Sequence, residues 1–253
     1  MKKYFKLIFL ALILTLTFSF LVSCKKESKV LNVGTSADYP PFEYVDEKTG
    51  EFVGFDLDLI RLLGKKIGYE VKIVNMDFDS IIPSLEKKKI DVAIACITIT
   101  EDRLKVAPAI PYWDTGQSII VKKDNPFNPQ SLGDLSGKKV GVQKGTTGEQ
   151  IIDEGIENKE VENVDVRRYT SVILGMLDLQ NGTIDAMIID TPVAKLYEKN
   201  YNYKVTTELA PETAGIFVQK DNQKLFDFLK KALDEIKDGP EWQELVKKYF
   251  SGE

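Results

Sequence analysis

Ile90-Asp91-Val92-Ala93-Ile94 and Ile184-Asp185-Ala186-Met187-Ile188 carry nearly the same phrase, each preceded by a helical stretch and a polar turn. Short continuous apolar runs of this kind read as strands buried on both faces of a parallel sheet. Working outward from the first, 30–35 is a short apolar strand and Tyr39-Pro40-Pro41-Phe42 a loop forced by two prolines. Phe55, Leu59, Leu62, Leu63 and Ile67 recur at helical spacing, and Gly68 ends that helix. A strand at 71–74, a helix at 80–88 and a strand at 91–97 complete a βαβαβ unit. The pattern restarts around the second phrase. It gives strands at 139–143, 164–169 and 184–189, with helices at 147–156 and 171–180. The halves share an architecture, which is not proof of duplication. The fold class is therefore α/β, with two lobes and a cleft between them. Residues 118–123 and 215–220 read as extended links, and helices at 223–237 and 241–250 return to the first lobe. A double crossing of that kind makes a natural hinge.

The chain has 253 residues, a formal net charge of −5, two cysteines and no histidine. At about 150 residues per domain, it holds one large or two modest domains. Without histidine there is no Ser-His or Cys-His nucleophilic pair, no imidazole base and no HExxH zinc site. Two cysteines cannot build a Cys-rich zinc site, so neither metal nor cofactor is expected. An acidic balance gives no footprint for nucleic acid.

Lys2, Lys3 and Lys6 precede a largely apolar run at 7–22, the pattern of an export signal. Leu21-Val22-Ser23-Cys24 resembles the lipobox of bacterial lipoproteins, whose cysteine is acylated after cleavage just before it. The expectation is a signal peptide at 1–23, lipid on Cys24 and a polar tether at 24–29. Two or more acyl chains anchor stably to a membrane. Losing 1–23 removes three lysines and no acids, which moves the charge from −5 to −8.

Ligands of open α/β sheets bind beyond the carboxyl ends of the strands. One end runs into Cys96-Ile97-Thr98-Ile99-Thr100 with Arg103 beyond, and another into Lys144-Gly145-Thr146-Thr147-Gly148. A third runs into Asp190-Thr191-Pro192. A guanidinium grips a carboxylate with two parallel hydrogen bonds, and a helix N-terminus favours an anion. Asp190 brings the opposite charge from the other lobe, so the set suits an amino-acid zwitterion. Taken singly, Arg103 reads as a surface ion-pair partner and Asp190 as an N-cap. Gly145-Thr146-Thr147 lacks the ending of a nucleotide phosphate loop. Asp56 and Asp58 read as acids complementing a helix start rather than as metal ligands. Tyr39 and Phe78 are pocket walls or plain core aromatics.

Gly54-Phe55-Asp56-Leu57-Asp58-Leu59 resembles the signature of bacterial extracellular solute-binding proteins of family 3, the receptors of polar amino acid ABC importers. Ordered blocks extend the resemblance over nearly the whole chain after the leader. They include residues 34–43, 77–85, 98–103, 111–113, 140–147 and 184–192. It implies a type II periplasmic-binding-protein fold, with 30–118 plus 218–253 as lobe 1 and 119–217 as lobe 2 including hinge strands. It also implies that Arg103 clamps the α-carboxylate, aided by backbone N–H groups at Thr98 and Thr147. Asp190 would accept the α-ammonium together with the Thr98 hydroxyl and the Cys96 carbonyl. Tyr39 and Phe78 would sandwich the side chain, while Ser36 and Gln143 offer it hydrogen bonds. Ser36 replaces an aspartate common in the family, and Cys96 replaces glycine or serine. Ile189 and Gln143 replace the histidine and lysine of glutamine-specific members. The substrate reading leans to a cationic amino acid, since aromatic walls favour a flat cation. Permease subunits of an ABC importer are the implied partners of a monomeric, extracytoplasmic receptor. The alternatives are a dehydratase-like enzyme on the same fold, with Cys96 as its thiol, and an amino-acid-sensing receptor component.

Overall fold

The structure is a computed structural model that describes residues 29–250; the expected leader, Cys24 and the tether up to residue 28 lie outside them. Strand β1 (Lys29–Thr35) is followed by a small antiparallel sheet of β2 (Asp38–Tyr39), β3 (Glu43–Val45) and β4 (Phe52–Val53). Helix α1 (Phe55–Ile67) leads to β5 (Tyr69–Asn75), which pairs parallel with β1. Helix α2 (Ile81–Glu86), β6 (Val92–Ala93) and α3 (Glu101–Val106) complete the first half. The long β7 (Ala109–Lys122) enters the second half. That half comprises β8 (Lys139–Gln143), α4 (Thr147–Glu157), β9 (Asp165–Tyr169), α5 (Val172–Asn181), β10 (Ala186–Asp190) and α6 (Thr191–Asn200). Strand β11 (Tyr203–Val218) returns, followed by α7 (Gln223–Ile236) and α8 (Pro240–Phe250). Among the described residues no helix is long and apolar enough to cross a membrane.

The two halves share one sheet, ordered β5-β1-β6-β11-β7-β10-β8-β9. Both flanks are parallel, and the antiparallel pair β7 and β11 joins them. Residues 118–122 belong to the second half, where 117–120 pair with β10, and 217–218 pair with β6 in the first. The crossing therefore lies between, at 113–117 against 210–214, rather than at the expected links. Backbones pass so closely there that a Cβ on Gly116 would sit 2.4 Å from the Ala210 carbonyl oxygen.

Helix α1 forms for the reasons legible in its sequence. Phe55, Leu59 and Leu63 line its buried face, Asp56 and Asp58 fall in its first turn, and Lys65 and Lys66 in its last. Gly68 ends it with φ of 78°, a left-handed conformation that returns its N–H to the last carbonyls. Two elements are shorter than expected. Helix α2 spans only Ile81–Glu86, because Lys88 adopts φ of 57° and turns the chain out of the helix. The strand expected at 91–97 pairs only over Val92–Ala93. Its chain then bends, with Cys96 at φ of 45° and the Cys96 N–H given to the Asp56 carboxylate, 2.8 Å away, instead of to a neighbouring strand.

Aromatic packing fixes the C-terminal helices on the first half. Phe55 meets Trp242 edge-on at 5.2 Å and Phe250 at 5.3 Å, while Trp113 stacks on Phe250 at 4.4 Å. Each such pair contributes about 0.5–1.5 kcal/mol beyond its buried area. Lys248 and Tyr249 add charge-assisted bonds to Asp58, which Arg61 also reaches. Phe55 is fully buried at the centre of this cluster. Phe55→Ala is expected to lower unfolding free energy by about 3–5 kcal/mol, read from urea denaturation; a loss near zero would show that α8 does not pack here.

Candidate functional site

One enclosed cavity lies where the two halves meet. Its lining includes all nine residues singled out in the sequence: Ser36, Tyr39, Phe78, Cys96, Thr98, Arg103, Gln143, Thr147 and Asp190. Asp38 and Glu43, which the sequence reading passed over, line it as well. Only about 10 Å³ is open to the centre of a water-sized sphere, room for one water and far too little for an amino acid. The halves are closed on each other.

Arg103 bridges them. Its position follows from α3, which Thr100 caps by accepting from the Arg103 N–H. The guanidinium donates to the Thr98 carbonyl at 2.6 Å in the first half and to the Gly145 carbonyl at 2.8 Å in the second. It also lies over the Phe78 ring, 5.6 Å from the centroid. It makes none of the described residues' ion pairs, so the surface-pair reading of Arg103 falls away. Burial pulls its pKa down, and the carboxylates of Glu212 and Asp190 oppose that pull.

Gly145 has φ of 77°, and a Cβ there would approach Asp79 Cβ to 2.9 Å across the cleft. Thr146 caps α4, its hydroxyl accepting from the Glu149 N–H, while the Glu149 carboxylate accepts from the Gly145 N–H at 2.7 Å. This leaves the N–H groups of Thr147 and Gly148 as the free donors of the first turn. They and the helix dipole suit an anion beside Arg103.

Asp190 ends β10 and occupies the N-cap position of α6, but its side chain makes no capping bond. Both oxygens turn to the cleft. Oδ2 accepts from the Tyr39 hydroxyl at 2.6 Å, and Oδ1 accepts from Thr115 at 2.9 Å. The Asp190 N–H in turn donates to the Tyr39 oxygen at 2.9 Å. Tyr39 thus ties the halves through its hydroxyl as well as walling the cavity with its ring. Burial pushes the Asp190 carboxyl up to about 6, opposed by the Tyr39 bond.

Three more carboxyls crowd the first-half wall. Asp38 accepts from the Val172 N–H at 3.0 Å and from Ser36 at 3.1 Å, with the Gln143 amide at 3.4 Å. The amide also reaches the Thr170 carbonyl, so Ser36 and Gln143 serve Asp38 in this closed arrangement. Asp56 is fully buried and accepts from the Tyr112 hydroxyl at 2.6 Å and from the Cys96 N–H. Burial brings it up to about 7. Asp56 lies in the first turn of α1 as expected, and its carboxylate in addition anchors the bend at Cys96.

Glu43 is also fully buried, and among the described residues neither of its oxygens meets a donor group; Asp56 Oδ1 meets none there either. Two acids have no donor between them unless one keeps its proton. Burial holds the proton on Glu43, raised well above the carboxylate range, and the Asp56 charge reinforces this. Period-2 alternation between Phe42 and Tyr44 hid Glu43 from the sequence reading. The Cys96 sulfur lies 3.9 Å from Asp190 Oδ1, and burial with the neighbouring acids pushes the thiol well above its ordinary pKa. Among the described residues no group of histidine, cysteine and acids is arranged to hold a metal ion.

The sequence and the fold have counterparts in known proteins. The profile of bacterial extracellular solute-binding proteins, family 3, matches residues 31–252. The arginine-binding extracellular protein ArtP of Bacillus subtilis (strain 168) is 36% identical over 231 residues, covering 89% of this chain and 88% of its own. ABC transporter arginine-binding protein 1 of Escherichia coli (strain K12) is 35% identical, covering 97% and 98% respectively. An ancestral arginine-binding protein solved bound to arginine superposes with a TM-score of 0.81 at 41% identity, covering 87% of this chain and 98% of its own. These similar proteins are binding proteins, the large sheet is that of a type II periplasmic amino-acid-binding fold, and the chain belongs to the bacterial extracellular solute-binding proteins of family 3.

Proposed function

We propose that the protein is a lipid-anchored extracytoplasmic receptor that binds a cationic amino acid, with L-arginine as the first candidate, and delivers it to an ABC importer permease. The carrying observation is the charge balance of the cavity. Among the described residues Arg103 is its only basic lining residue, against the acids Asp38, Glu43 and Asp190. A buried charge must be paired or neutralised. A zwitterion with a cationic side chain presents one carboxylate and two cations. The carboxylate would take the unused N–H groups of Arg103 and the free donors at Thr147 and Gly148. The α-ammonium would lie at Asp190, and the side-chain cation would meet Glu43 and displace to solvent the proton that burial holds there. Tyr39 and Phe78 would flank the stem, with Ser36, Gln143 and the Cys96 carbonyl around it. The two halves that meet at the crossing of 113–117 against 210–214 would then be lobes that close around the ligand, in a protein that acts as a monomer. The similar proteins named for arginine support this ligand class. A Cys96 thiol kept protonated by burial is a poor nucleophile, which disfavours the enzyme alternative.

A melting scan of the full mature protein against the twenty amino acids tests the ligand. At a hundredfold excess over Kd, stabilisation is about 2.7 kcal/mol. For a chain of this size that raises Tm by roughly 5–10 °C. L-arginine is expected to give the largest shift, and Arg103→Ala to retain its own Tm while binding at least about thirtyfold more weakly. A scan in which neutral amino acids lead would overturn the cationic reading.

Binding is expected to depend on pH. Asp190 receives an ammonium only as a carboxylate, so affinity falls as pH drops through about 6. The loss approaches about tenfold per pH unit below that point. Because the folded pKa lies above the unfolded one, the native state holds the proton longer. Asp190 alone therefore makes the ligand-free protein less stable as pH rises from about 4 to 6. Titration calorimetry from pH 5 to 7.5 reads the affinity, and Asp190→Asn should flatten the profile. A flat wild-type profile would remove Asp190 from the ammonium site.

Membrane attachment rests on Cys24. Expressed from the full chain, the wild type is expected in the membrane fraction with acyl mass on residue 24, and Cys24→Ala in the soluble fraction. An unmodified wild-type Cys24 on mass spectrometry would overturn the anchor.

A further inference from the structure

Glu212 sits on the crossing strand β11, outside the cavity lining and absent from the sequence reading, yet both halves converge on one of its oxygens. Oε2 accepts from the Thr98 hydroxyl at 2.7 Å and the Thr147 hydroxyl at 2.9 Å. The Gln117 amide on β7 donates to the same oxygen at 3.1 Å and to Thr147 Oγ1 at 3.2 Å. Thr98 belongs to the first half, stitched to β11 by a bridge to Ala214 and by the Ile99 N–H to the Thr213 carbonyl at 2.8 Å. Thr147 opens α4 in the second. The two hydroxyl oxygens lie 3.4 Å apart.

A hydroxyl has one proton and two acceptor sites, and an ionised carboxylate accepts only. Both hydroxyl protons therefore point to Glu212. Thr98 Oγ1, a cavity residue, is left with lone pairs to offer. Lone pairs repel a carboxylate and attract an ammonium.

We propose that Glu212 is a positioning residue that sets the donor and acceptor polarity of Thr98 and Thr147, so that Thr98 faces the ligand as an acceptor for its α-ammonium. This rests on the amino-acid reading above and adds to it a residue that touches no ligand. It also assigns the ligand carboxylate to Arg103 and backbone N–H groups, since neither threonine hydroxyl is free to donate to it.

The test compares L-arginine with 5-guanidinopentanoate, the same molecule without its α-ammonium, by calorimetry on wild type, Glu212→Gln and Glu212→Ala. Loss of a hydrogen bond to a charged group corresponds to about tenfold or more in affinity. Glu212→Ala is expected to lose that factor for L-arginine and little for the deaminated analogue. Glu212→Gln, isosteric and still carrying one acceptor oxygen, should fall between. Adding Thr98→Val to Glu212→Ala should cost no more than Thr98→Val alone. Equal losses for both ligands, additive losses in the double variant, or no loss at all would overturn the proposal. If Glu212→Ala does not fold, as judged by circular dichroism, the Glu212→Gln ratio decides. If wild type ignores arginine but binds another of the twenty amino acids, the ligand reading fails separately. Glu212 is then tested with that amino acid and its deaminated counterpart. A wild type that binds none overturns both.

Discussion

Four carboxyl groups, Asp38, Glu43, Asp56 and Asp190, are sunk around one cleft whose lining holds a single guanidinium. Burying unpaired charge is so unfavourable that each group must find donors or keep its proton. Much of the local structure follows from that demand. Tyr112 and the Cys96 N–H serve Asp56, at the bend that follows β6. Tyr39 and Thr115 serve Asp190 from different elements. Asp38 draws the Val172 N–H and the Gln143 amide of the second half onto the first. Glu43 alone is left to its proton. The contacts across the cleft therefore run largely through these same acids.

Closure and selectivity are then one property. Tyr39 to Asp190, Arg103 to the Gly145 carbonyl and Asp38 to Val172 all span the halves. A ligand that supplies cations to the acids and an anion to Arg103 substitutes for these bonds without losing the contact. A neutral side chain leaves Glu43 as it was. Selection by completing a charge pattern requires no residue that recognises one side chain by shape alone.

The fold was largely legible because its signals are local. Helical spacing of Phe55, Leu59 and Leu63 and the two apolar phrases at 90–94 and 184–188 depend only on periodicity and burial. The nine candidate residues were legible because strand ends and ordered motifs carry them. What escaped was long-range. Asp56 looks like an ordinary first-turn acid until the chain forty residues on donates to it. Glu43 alternates with aromatics on a short strand, and nothing nearby tells that both its faces are covered. Glu212 lies in a polar stretch whose partners come from three separate segments. The position of the crossing escaped too, because β7 and β11 run without a break through both halves.

The continuity of these two strands has a mechanical consequence. Two hydrogen-bonded strands, not loose linkers, connect the halves, and the ladder is irregular between Val205 and Thr207, Glu208 and Ala210, and Ala214 and Gly215. Bulges raise local twist and soften the ribbon there. A ribbon of this build behaves as a torsion bar. Rotation about its long axis is easy, while sideways sliding would break ladder bonds one after another. Turning of one half against the other about that axis is thus favoured over sliding.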